Sequence, residues 1–363
     1  MISTQPSTKT DPAADEWNIS DDVTRLRIWG TDLVRLLPPP PIHELTVGAG
    51  ETCALRLDDP TGFVSQMHAR LVRSHNKWLL RDVGSKNGLR LDGARRSEIV
   101  LEPGLEIAIG GMILIAESPR SVQLRSFLAR LLGWRSDRVP SVDCALQSVR
   151  LSAARRLALV LSGEGDLVPI AHAIHRRTRG ADRPFVVCDP RRRSGEATVR
   201  SPESYTTGAQ ALVASRGGTL CMRTRRLPPD FRQTLDALLA PSSQTQLVVC
   251  AETPKECELY RVNPIEIPSL VRRGGEVDRI IDEYADDAMT ELDVPRAPFP
   301  EEDHAWVREH ATMSLPEIEK ATLRMVALRA SATLGDAARR LGMAPVSLSR
   351  WIGRRNMPIG IAT

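Results

Sequence analysis

The chain has 363 residues, of which 42% are hydrophobic and 26% charged, and its formal net charge is +4 at pH 7. This composition is typical of a soluble globular protein and excludes a disordered chain, and the length predicts two or three domains. The polar N-terminus lacks the apolar run of a secretion signal, and no run reaches the ~20 apolar residues that cross a membrane. Six cysteines without CxxC pairs predict buried thiols in a reducing compartment, here the cytoplasm.

Residues 17–118 are predicted to form a β-sandwich that follows a disordered leader over residues 1–16. Short runs such as ELTV, HARLVR and KWLLRDV succeed one another there, with turn signals such as LDDPTG and GSKNG between them. Closely spaced short strands with turns of this kind are typical of an antiparallel sandwich.

Two motifs in this segment place polar residues in turns: SQMH at 65–68 and SKNG at 85–88. With Gly48 before them and a Trp-x-Leu run between them, they resemble the forkhead-associated (FHA) domain family. The resemblance implies a sandwich whose loops bind a phosphothreonine peptide. It assigns Ser65 to the phosphate and Asn87 to the peptide backbone, and it makes His68 an internal strut.

The segment departs from the family at Ala49, where a phosphate-binding arginine would follow Gly48. A charge-assisted hydrogen bond to phosphate contributes about 1.5–3 kcal/mol, so its loss weakens binding about ten- to a hundredfold. Gln66, Arg70 or Lys86 could compensate in part. A second interpretation stays open, in which the sandwich binds a protein surface without phosphate. The candidate phosphopeptide site comprises Gly48, Ser65, Gln66, Lys86 and Asn87.

Residues 119–293 change to helices that alternate with short apolar runs, namely LALVLS, PFVVC, GGTLCM and TQLVVCAE. This alternation predicts an α/β domain with a buried parallel sheet. Three stretches resemble parts of the AAA+ domain of sigma-54 enhancer-binding activators and follow one another in the same order. They are LSGEGDLVPIAHAIH for the phosphate loop and its helix, RPFVVCD for the second strand, and IEIPSL for the lid. The segment resembles that family, which implies an AAA+-like fold with a small helical lid.

The residues that hydrolyse ATP in that family are missing here. The phosphate loop, with Gly163, Gly165 and Asp166, is about two residues short of the family's loop and has no lysine, whereas ATP binding requires a longer loop that ends in lysine and a hydroxyl residue. Arg223 and Thr224 stand where the family has its acidic pair, so Arg223 would repel a metal ion and Asp166 a nucleotide. We therefore expect a degenerate AAA+ domain without cofactor, metal or enzymatic activity. The GAFTGA loop that contacts the sigma factor is also missing.

Two other features of this segment have alternative interpretations. His172 and His175 are three residues apart on a predicted helix, but no third ligand lies near them in sequence, so a solvated helix face is favoured over a zinc site. The arginines at 191–193 are compatible with a DNA-backbone contact or a protein contact.

Residues 294–312 are expected to be a linker, and residues 313–363 a helical DNA-binding domain. The last 53 residues contain eight Lys and Arg against three Asp and Glu, a net +5 that exceeds the charge of the whole chain and points to nucleic acid. The segment resembles the Fis-type helix-turn-helix of enhancer-binding proteins. That resemblance makes 315–329 a packing helix and 333–341 the first helix of the motif, with the turn at Gly342.

In such motifs the second helix lies in the major groove. We expect Arg350 to read a base, because arginine bonds guanine with two hydrogen bonds, and Ser347, Arg354 and Arg355 to contact the backbone beside the outward Ser349. Leu348 and Ile352 would face the core. Fis-type tails dimerise, which implies a homodimer or a higher oligomer. The alternative is a helical hairpin for protein contacts only.

Together these features predict a cytoplasmic transcriptional regulator that is built like an enhancer-binding activator but lacks its motor. Its partners would be DNA and a protein, which carries phosphothreonine in one interpretation and none in the other, with no membrane partner. The alternative is a phosphothreonine-dependent adaptor in Ser/Thr-kinase signalling that binds no DNA.

Overall fold

The computed structural model describes residues 21–75, 77–155, 157–191, 198–199, 201–260 and 262–355. The chain divides into two compact units, residues 1–129 with 134–154 and residues 130–133 with 155–363. The leader expected over residues 1–16 lies outside the described residues.

The first unit is a β-sandwich. Its described strands are β1 (Arg25–Ile28), β2 (Val34–Leu36), β3 (Glu44–Gly48), β4 (Leu55–Arg56), β5 (Ala69–Ser74), β6 (Lys77–Asp82), β7 (Leu89–Leu91), β8 (Ala94–Arg96), β9 (Glu98–Val100), β10 (Glu106–Ile109) and β11 (Met112–Glu117). They form one sheet in the order β2-β1-β11-β10-β7-β8 and a second in the order β4-β3-β5-β6-β9. All pairs are antiparallel except β3 with β4.

The alternation of apolar and polar residues determines which face of each strand is buried. In the β5–β6 pair, Leu71 lies opposite Leu80 and both are fully buried, whereas the neighbouring pair Arg70 and Arg81 is exposed. Apolar side chains from both sheets share one core, as expected for a sandwich. The predicted all-β module is therefore confirmed.

Two helices follow the sandwich, α1 (Pro119–Leu132) and α2 (Val139–Arg155). We expected both to open the α/β domain, but residues 119–129 and 134–154 belong to the first unit. A buried ion-pair network explains the difference for α2, because Arg27 of β1 donates to Asp143 of α2 at 2.6 Å and to Glu117 at 2.7 Å. Burial lowers the pKa of Arg27, but the two carboxylates outweigh it and raise the pKa above its usual value.

The second unit contains a parallel sheet with helices. Its described strands are β12 (Leu159–Ser162), β13 (Phe185–Cys188), β14 (Glu203–Tyr205), β15 (Thr219–Arg223), β16 (Gln246–Ala251) and β17 (Ile265–Glu266). They lie in the order β14-β13-β15-β16-β12-β17, and every pair is parallel. The four apolar runs are strands of this sheet, so the predicted α/β layout with a parallel sheet is confirmed.

The helices of the second unit are α3 (Val168–Thr178), α4 (Gly208–Ala214), α5 (Phe231–Leu239), α6 (Val277–Glu291), α7 (Glu301–His310), α8 (Leu315–Arg329), α9 (Leu334–Arg340) and α10 (Pro345–Gly353). Short 3-10 helices occur at Thr224–Arg226, Pro254–Tyr260 and Leu270–Glu276. Helix α8 packs along α6 and is buried over most of its length. The helical tail is therefore part of the second unit rather than a separate body.

The segment 294–312, expected to be a linker, contains α7 instead. Trp306 and Val307 are buried, and the fully buried carboxylate of Asp303 forms an ion pair with Arg329 of α8 at 2.8 Å. Burial of an aromatic ring and of a paired carboxylate gives this helix a fixed place in the unit. The prolines and acids of the run VPRAPFPEED are typical of a linker, so the sequence did not predict this helix.

Candidate functional site

The motif turns of the sandwich come together at one end of β3. Gly48 lies so close to the next loop that a Cβ atom there would be 2.3 Å from the Gln66 carbonyl oxygen. The N–H of Ala49 donates to the Ser65 carbonyl at 3.0 Å, and the N–H of Gly50 donates to that of Gln66 at 2.9 Å. Position 49 is therefore adjacent to Ser65, and glycine is required at 48 because the two backbones meet there.

His68 holds two of these turns together. Its side chain is fully buried, its Nδ1 accepts the N–H of Ser65 at 3.0 Å, and its Nε2 is 3.2 Å from the carbonyl oxygen of Gly88. The expected internal position of His68 is confirmed. Because one ring bonds both motifs, the SQMH turn and the SKNG turn are fixed relative to each other.

Ser65 and Lys86 meet at the surface between the turns. The backbone N–H of Lys86 donates to Ser65 Oγ at 3.2 Å, so the hydroxyl can use its own proton for an acceptor that arrives from solvent. Ser65 is half-buried and Lys86 is exposed. A hydroxyl donor in a turn that also carries an exposed lysine is suited to a phosphate oxygen.

Asn87 has a partner inside the domain. Its Nδ2 donates to the Phe63 carbonyl oxygen at 2.8 Å, which ties the SKNG turn to the loop before Ser65. Its amide oxygen remains suited to accept an N–H from a peptide backbone. Asn87 therefore positions a loop, a contact that the sequence did not indicate.

That loop presents an aromatic ring that sequence analysis missed. Phe63 is 56% exposed, yet its backbone is held by Asn87 and by Asp59, whose carboxylate accepts the N–H groups of Phe63 and Val64 at 2.8 Å each. The four-residue spacing in DPTGF, with an acid before a turn, was the available signal.

The other polar residues of the area differ in what they can contribute. Gln66 is exposed beside Ser65, whereas Arg70 forms an ion pair with Glu44 at 3.1 Å on the outer face of its sheet. A further cation, Arg95, donates to the Ser85 carbonyl oxygen at 3.3 Å. It therefore lies against the turn that carries Lys86. Arg95 belongs to the run LDGARR, and nothing in that run predicted a contact with the SKNG turn.

The loop at residues 163–166 of the second unit ends in an ion pair. Asp166 accepts the N–H of Val168 in the first turn of α3 at 3.3 Å, and its two carboxylate oxygens accept from Arg223 Nη2 at 2.8 and 3.0 Å. We expected each residue to repel a ligand separately, but in the structure they neutralise each other. Burial lowers the pKa of Arg223, and the charge and hydrogen bonds of Asp166 outweigh it and raise the pKa.

The ion pair extends to a second carboxylate. Asp189, which is fully buried after β13, accepts from Arg223 Nη1 and from Arg226 Nη1, each at 3.1 Å. Thr224 donates instead to Glu256, and this hydrogen bond lowers the pKa of the Glu256 carboxyl. The loop lines a cavity of about 660 Å³ together with Arg223, Thr224 and Arg226.

The glycine loop also contacts the helical tail. Gly165 has a φ of +83°, and a Cβ atom there would lie 2.5 Å from Ser314 Oγ, just before α8. A Cβ atom on Gly163 would lie 3.0 Å from Ile267 Cβ, after β17. The loop is therefore a packing surface for the chain segments after β17 and before α8.

His175 is buried rather than solvated, so that expectation for the histidine pair is wrong. Its Nδ1 is 2.8 Å from Thr219 Oγ1 and its Nε2 is 3.0 Å from the Arg183 carbonyl oxygen. Burial lowers the pKa of both His172 and His175 to about 4. Helix α3 turns this face toward the sheet, where the ring centre of His172 lies 4.8 Å from that of Phe185.

Helix α10 has a polar outer face. Ser347, Ser349, Arg350 and Arg354 are exposed, whereas Leu348 and Trp351 are buried. Ile352, expected in the core with Leu348, is only half-buried.

Arg355 is placed differently from the other predicted DNA contacts. Its guanidinium lies 5.5 Å from the ring centre of Trp351, with Arg324 at 4.7 Å from the same ring. Trp306 of α7 donates its indole N–H to the Arg355 carbonyl oxygen at 3.1 Å and meets Trp351 edge-on. Arg355 thus packs at the C-terminal end of α10 rather than on its outer face.

Among the described residues, no three His, Cys, Asp or Glu side chains converge as a metal site. None of the helices in that part of the chain combines the length and the apolar character of a transmembrane segment. Of the arginines at 191–193, only the exposed Arg191 belongs to the described residues.

Comparison with known families identifies one domain in this chain. Residues 45–110 match the family model of the FHA domain, so the first unit contains an FHA domain. No curated protein is significantly similar to the chain in sequence.

Solved structures that resemble the chain do so over about a quarter of its length. One, described as a structural and functional analysis of phosphothreonine-dependent FHA domain interactions, shares 26% identity over 26% of this chain and 93% of that chain, with a TM-score of 0.23. The FHA domain of the CT664 protein from Chlamydia trachomatis shares 22% sequence identity over 25% of this chain and 92% of that chain, with a TM-score of 0.23. Mycobacterium tuberculosis EmbR in complex with a low-affinity phosphopeptide shares 22% sequence identity over 27% of this chain and 24% of that chain, with a TM-score of 0.24.

Proposed function

We propose that this protein binds phosphothreonine-containing partner proteins through its FHA domain. We propose in addition that its second unit is an AAA+-like platform without ATP turnover that displays a DNA-binding helix. The protein would then be a regulator of transcription without a motor, whose attachment to a phosphorylated partner and to DNA involves opposite ends of the chain.

One observation carries the first part of the proposal: the Ser65 hydroxyl and the exposed Lys86 lie side by side in an FHA domain, joined by the 3.2 Å hydrogen bond from the Lys86 N–H. A phosphate oxygen at this point would receive a hydroxyl proton and face an ammonium group. With Ala49 in place of an arginine, Lys86 is the cation that the SKNG turn exposes to solvent. Phosphothreonine recognition here therefore depends on Ser65 and Lys86 together.

The test of this part is an array of phosphothreonine peptides with randomised flanking residues, probed with the full chain. We expect selective capture of phosphorylated sequences, weakened at least tenfold by Ser65→Ala. Arg70→Ala is the matched control, because Arg70 is paired with Glu44 and should leave capture unchanged. Equal capture of phosphorylated and unphosphorylated arrays would contradict the proposal.

The platform is supported by the ion pairs in the degenerate loop. Arg223 and Asp166 neutralise each other at the head of α3, where a phosphate-binding loop would need a free backbone and a lysine. We infer that the unit keeps the arrangement of an AAA+ domain for its packing and takes no nucleotide. Incubation with Mg-ATP should produce no phosphate release above a buffer control.

A second observation favours DNA as a ligand of the tail. Helices α9 and α10 pack on each other around the fully buried Ala337, Ala338 and Leu348, as in a helix-turn-helix, and α10 turns Arg350 and Arg354 to solvent. Lysine and arginine side chains on such a face neutralise phosphates, and bound counterions are released. We therefore propose that α10 is a DNA recognition helix.

The adaptor alternative is separated from this proposal by salt dependence. Because α8 packs along α6, the full chain is the right protein for the measurement. We expect duplex DNA to bind at low salt with an affinity that falls steeply as salt rises, and Arg350→Ala with Arg354→Ala to weaken it. No binding at low salt would favour an adaptor that does not contact DNA.

A further inference from the structure

Helix α10 has a large apolar side chain, Val346, on the side that faces solvent. Val346 is 60% exposed, although Leu348 and Trp351 of the same helix are buried and Ile352 is half-buried. In a helix with about 3.6 residues per turn, Val346 lies on the side opposite Leu348 and Trp351. Val346 therefore has no packing role in the second unit.

Val346 lies on the same ridge as the arginine that faces solvent. Residues four apart are neighbours on a helix surface, so Val346 and Arg350 are adjacent along the outermost line of α10. Gly353 continues this line, and a Cβ atom there would meet no atom within 4 Å. Ser347 and Arg354 lie on one flank. A groove that receives α10 would be contacted first by Val346 and Arg350.

The charges around the ridge indicate what would cover it. Arg350 is exposed on the helix and Arg354 is exposed at its C-cap, and residues 311–363 carry a net charge of +5. An apolar protein partner would have to desolvate these guanidinium groups, whereas the phosphates of a duplex complement them. In the major groove the apolar group that a valine can contact is the C5 methyl of thymine.

We propose that Val346 is a specificity-determining residue that selects thymine through its methyl group, beside the base read by Arg350. This inference rests on the proposed DNA-binding function of α10. Four residues span about 6 Å of helix, so the selected thymine lies about two base-pair steps from the guanine that Arg350 contacts. The DNA site is thus expected to contain a T·A pair and a G·C pair at this short spacing.

The experiment first selects DNA duplexes from a random pool with the full chain, and then replaces each thymine of the selected site by deoxyuridine, one at a time. Deoxyuridine lacks only the C5 methyl group. We expect one replacement to weaken binding by the wild-type chain about fourfold, the effect of one buried methyl group. The same replacement should leave the affinity of Val346→Ala unchanged.

Val213→Ala is the matched control, because Val213 is 79% exposed on α4 of the same unit and lies on no proposed DNA surface. It should keep the wild-type preference for thymine. If the chain binds duplexes but every deoxyuridine replacement is neutral, or if the preference persists in Val346→Ala, the inference is overturned while the DNA-binding proposal stands. If the chain selects no duplex at low salt, both are overturned.

Discussion

Arg223 and Asp166 form an ion pair at the end of the loop at residues 163–166, in which Nη2 of the arginine lies 2.8 and 3.0 Å from the two carboxylate oxygens. In the AAA+ likeness proposed above, Arg223 occupies a position at which that family has an acid, and Asp166 belongs to the loop that would approach phosphate. The two charges neutralise each other, as we expect of a loop that holds no nucleotide.

Arg223→Ala is expected to destabilise the second unit by about 2 kcal/mol, because the fully buried Asp189 loses one of its two cationic partners. Arg225→Ala is the control, since Arg225 is exposed and should change stability by less than about 0.5 kcal/mol. Urea unfolding of the three proteins measures the difference. Mg-ATP should leave the unfolding midpoint of all three unchanged, and a clear increase for the wild type would contradict the nucleotide-free platform.

Ala49→Arg is expected to strengthen phosphothreonine binding about ten- to a hundredfold. Ala49 is half-buried beside the SQMH turn, and its N–H donates to the Ser65 carbonyl at 3.0 Å. We expect the long side chain of an arginine at this position to extend from there to the phosphate that Ser65 and Lys86 would bind. Calorimetric titration with one phosphorylated peptide measures the gain, and the unphosphorylated form of the peptide should show none.

The control for this variant is Ala54→Arg, which adds the same charge to the same domain. The Ala54 N–H bonds Thr46 Oγ1 instead of the Ser65 turn, so the new cation is expected to change affinity by less than threefold. A similar gain in both variants would show that net charge, and not the Ser65 surface, governs binding.

Stability of the second unit is expected to fall as the pH decreases from about 6.5 to about 4. Burial holds the pKa of His172 and His175 near 4 in the folded protein, whereas in the unfolded chain both take up protons near pH 6.5. Below pH 6.5 the unfolded state therefore binds more protons, and each histidine lowers the free energy of unfolding by at most about 1.4 kcal/mol per pH unit.

Urea unfolding at a series of pH values measures this dependence. His175→Gln, which takes up no proton, should be less stable at pH 7.5 and should lose part of the decrease toward pH 4.5. The same slope in variant and wild type would contradict a neutral, buried His175.

Trp306→Phe is expected to lower DNA affinity about fivefold and stability by about 1 kcal/mol. The change removes the indole N–H that bonds the Arg355 carbonyl at 3.1 Å and so loosens the C-terminal turn of α10. Trp78→Phe, in the core of the sandwich, should destabilise the first unit without a change in DNA affinity. Retention of full DNA affinity in Trp306→Phe would show that α7 does not position α10.

The sequence was sufficient for much of the fold because periodicity is local. Apolar and charged residues alternate along each strand, as in Arg70–Leu71 and Leu80–Arg81, and this pattern predicts strands with one buried face. The continuous apolar runs around Val160 and Val249 predict strands that are buried on both faces. Helix α8 was expected over 315–329 and has these bounds.

What the sequence did not indicate depends on contacts between distant residues. The ion pair of Asp166 with Arg223 joins residues 57 positions apart, and that of Arg27 with Asp143 joins residues 116 apart, so neither has a local signal. Helix α7 was missed because the contacts of the buried Trp306 with Trp351 and with the Arg355 carbonyl join residues that are far apart in sequence. Phe63 was missed because its exposure follows from a loop that Asp59 and Asn87 hold in place.

The most direct test of the account is a calorimetric titration of the full chain with a peptide selected from the phosphothreonine array, beside the same peptide without its phosphate. Binding through the Ser65 and Lys86 surface predicts a dissociation constant at least tenfold lower for the phosphorylated peptide, and loss of that difference in Ser65→Ala. Equal dissociation constants for the two peptides would contradict phosphothreonine-dependent binding by this FHA domain.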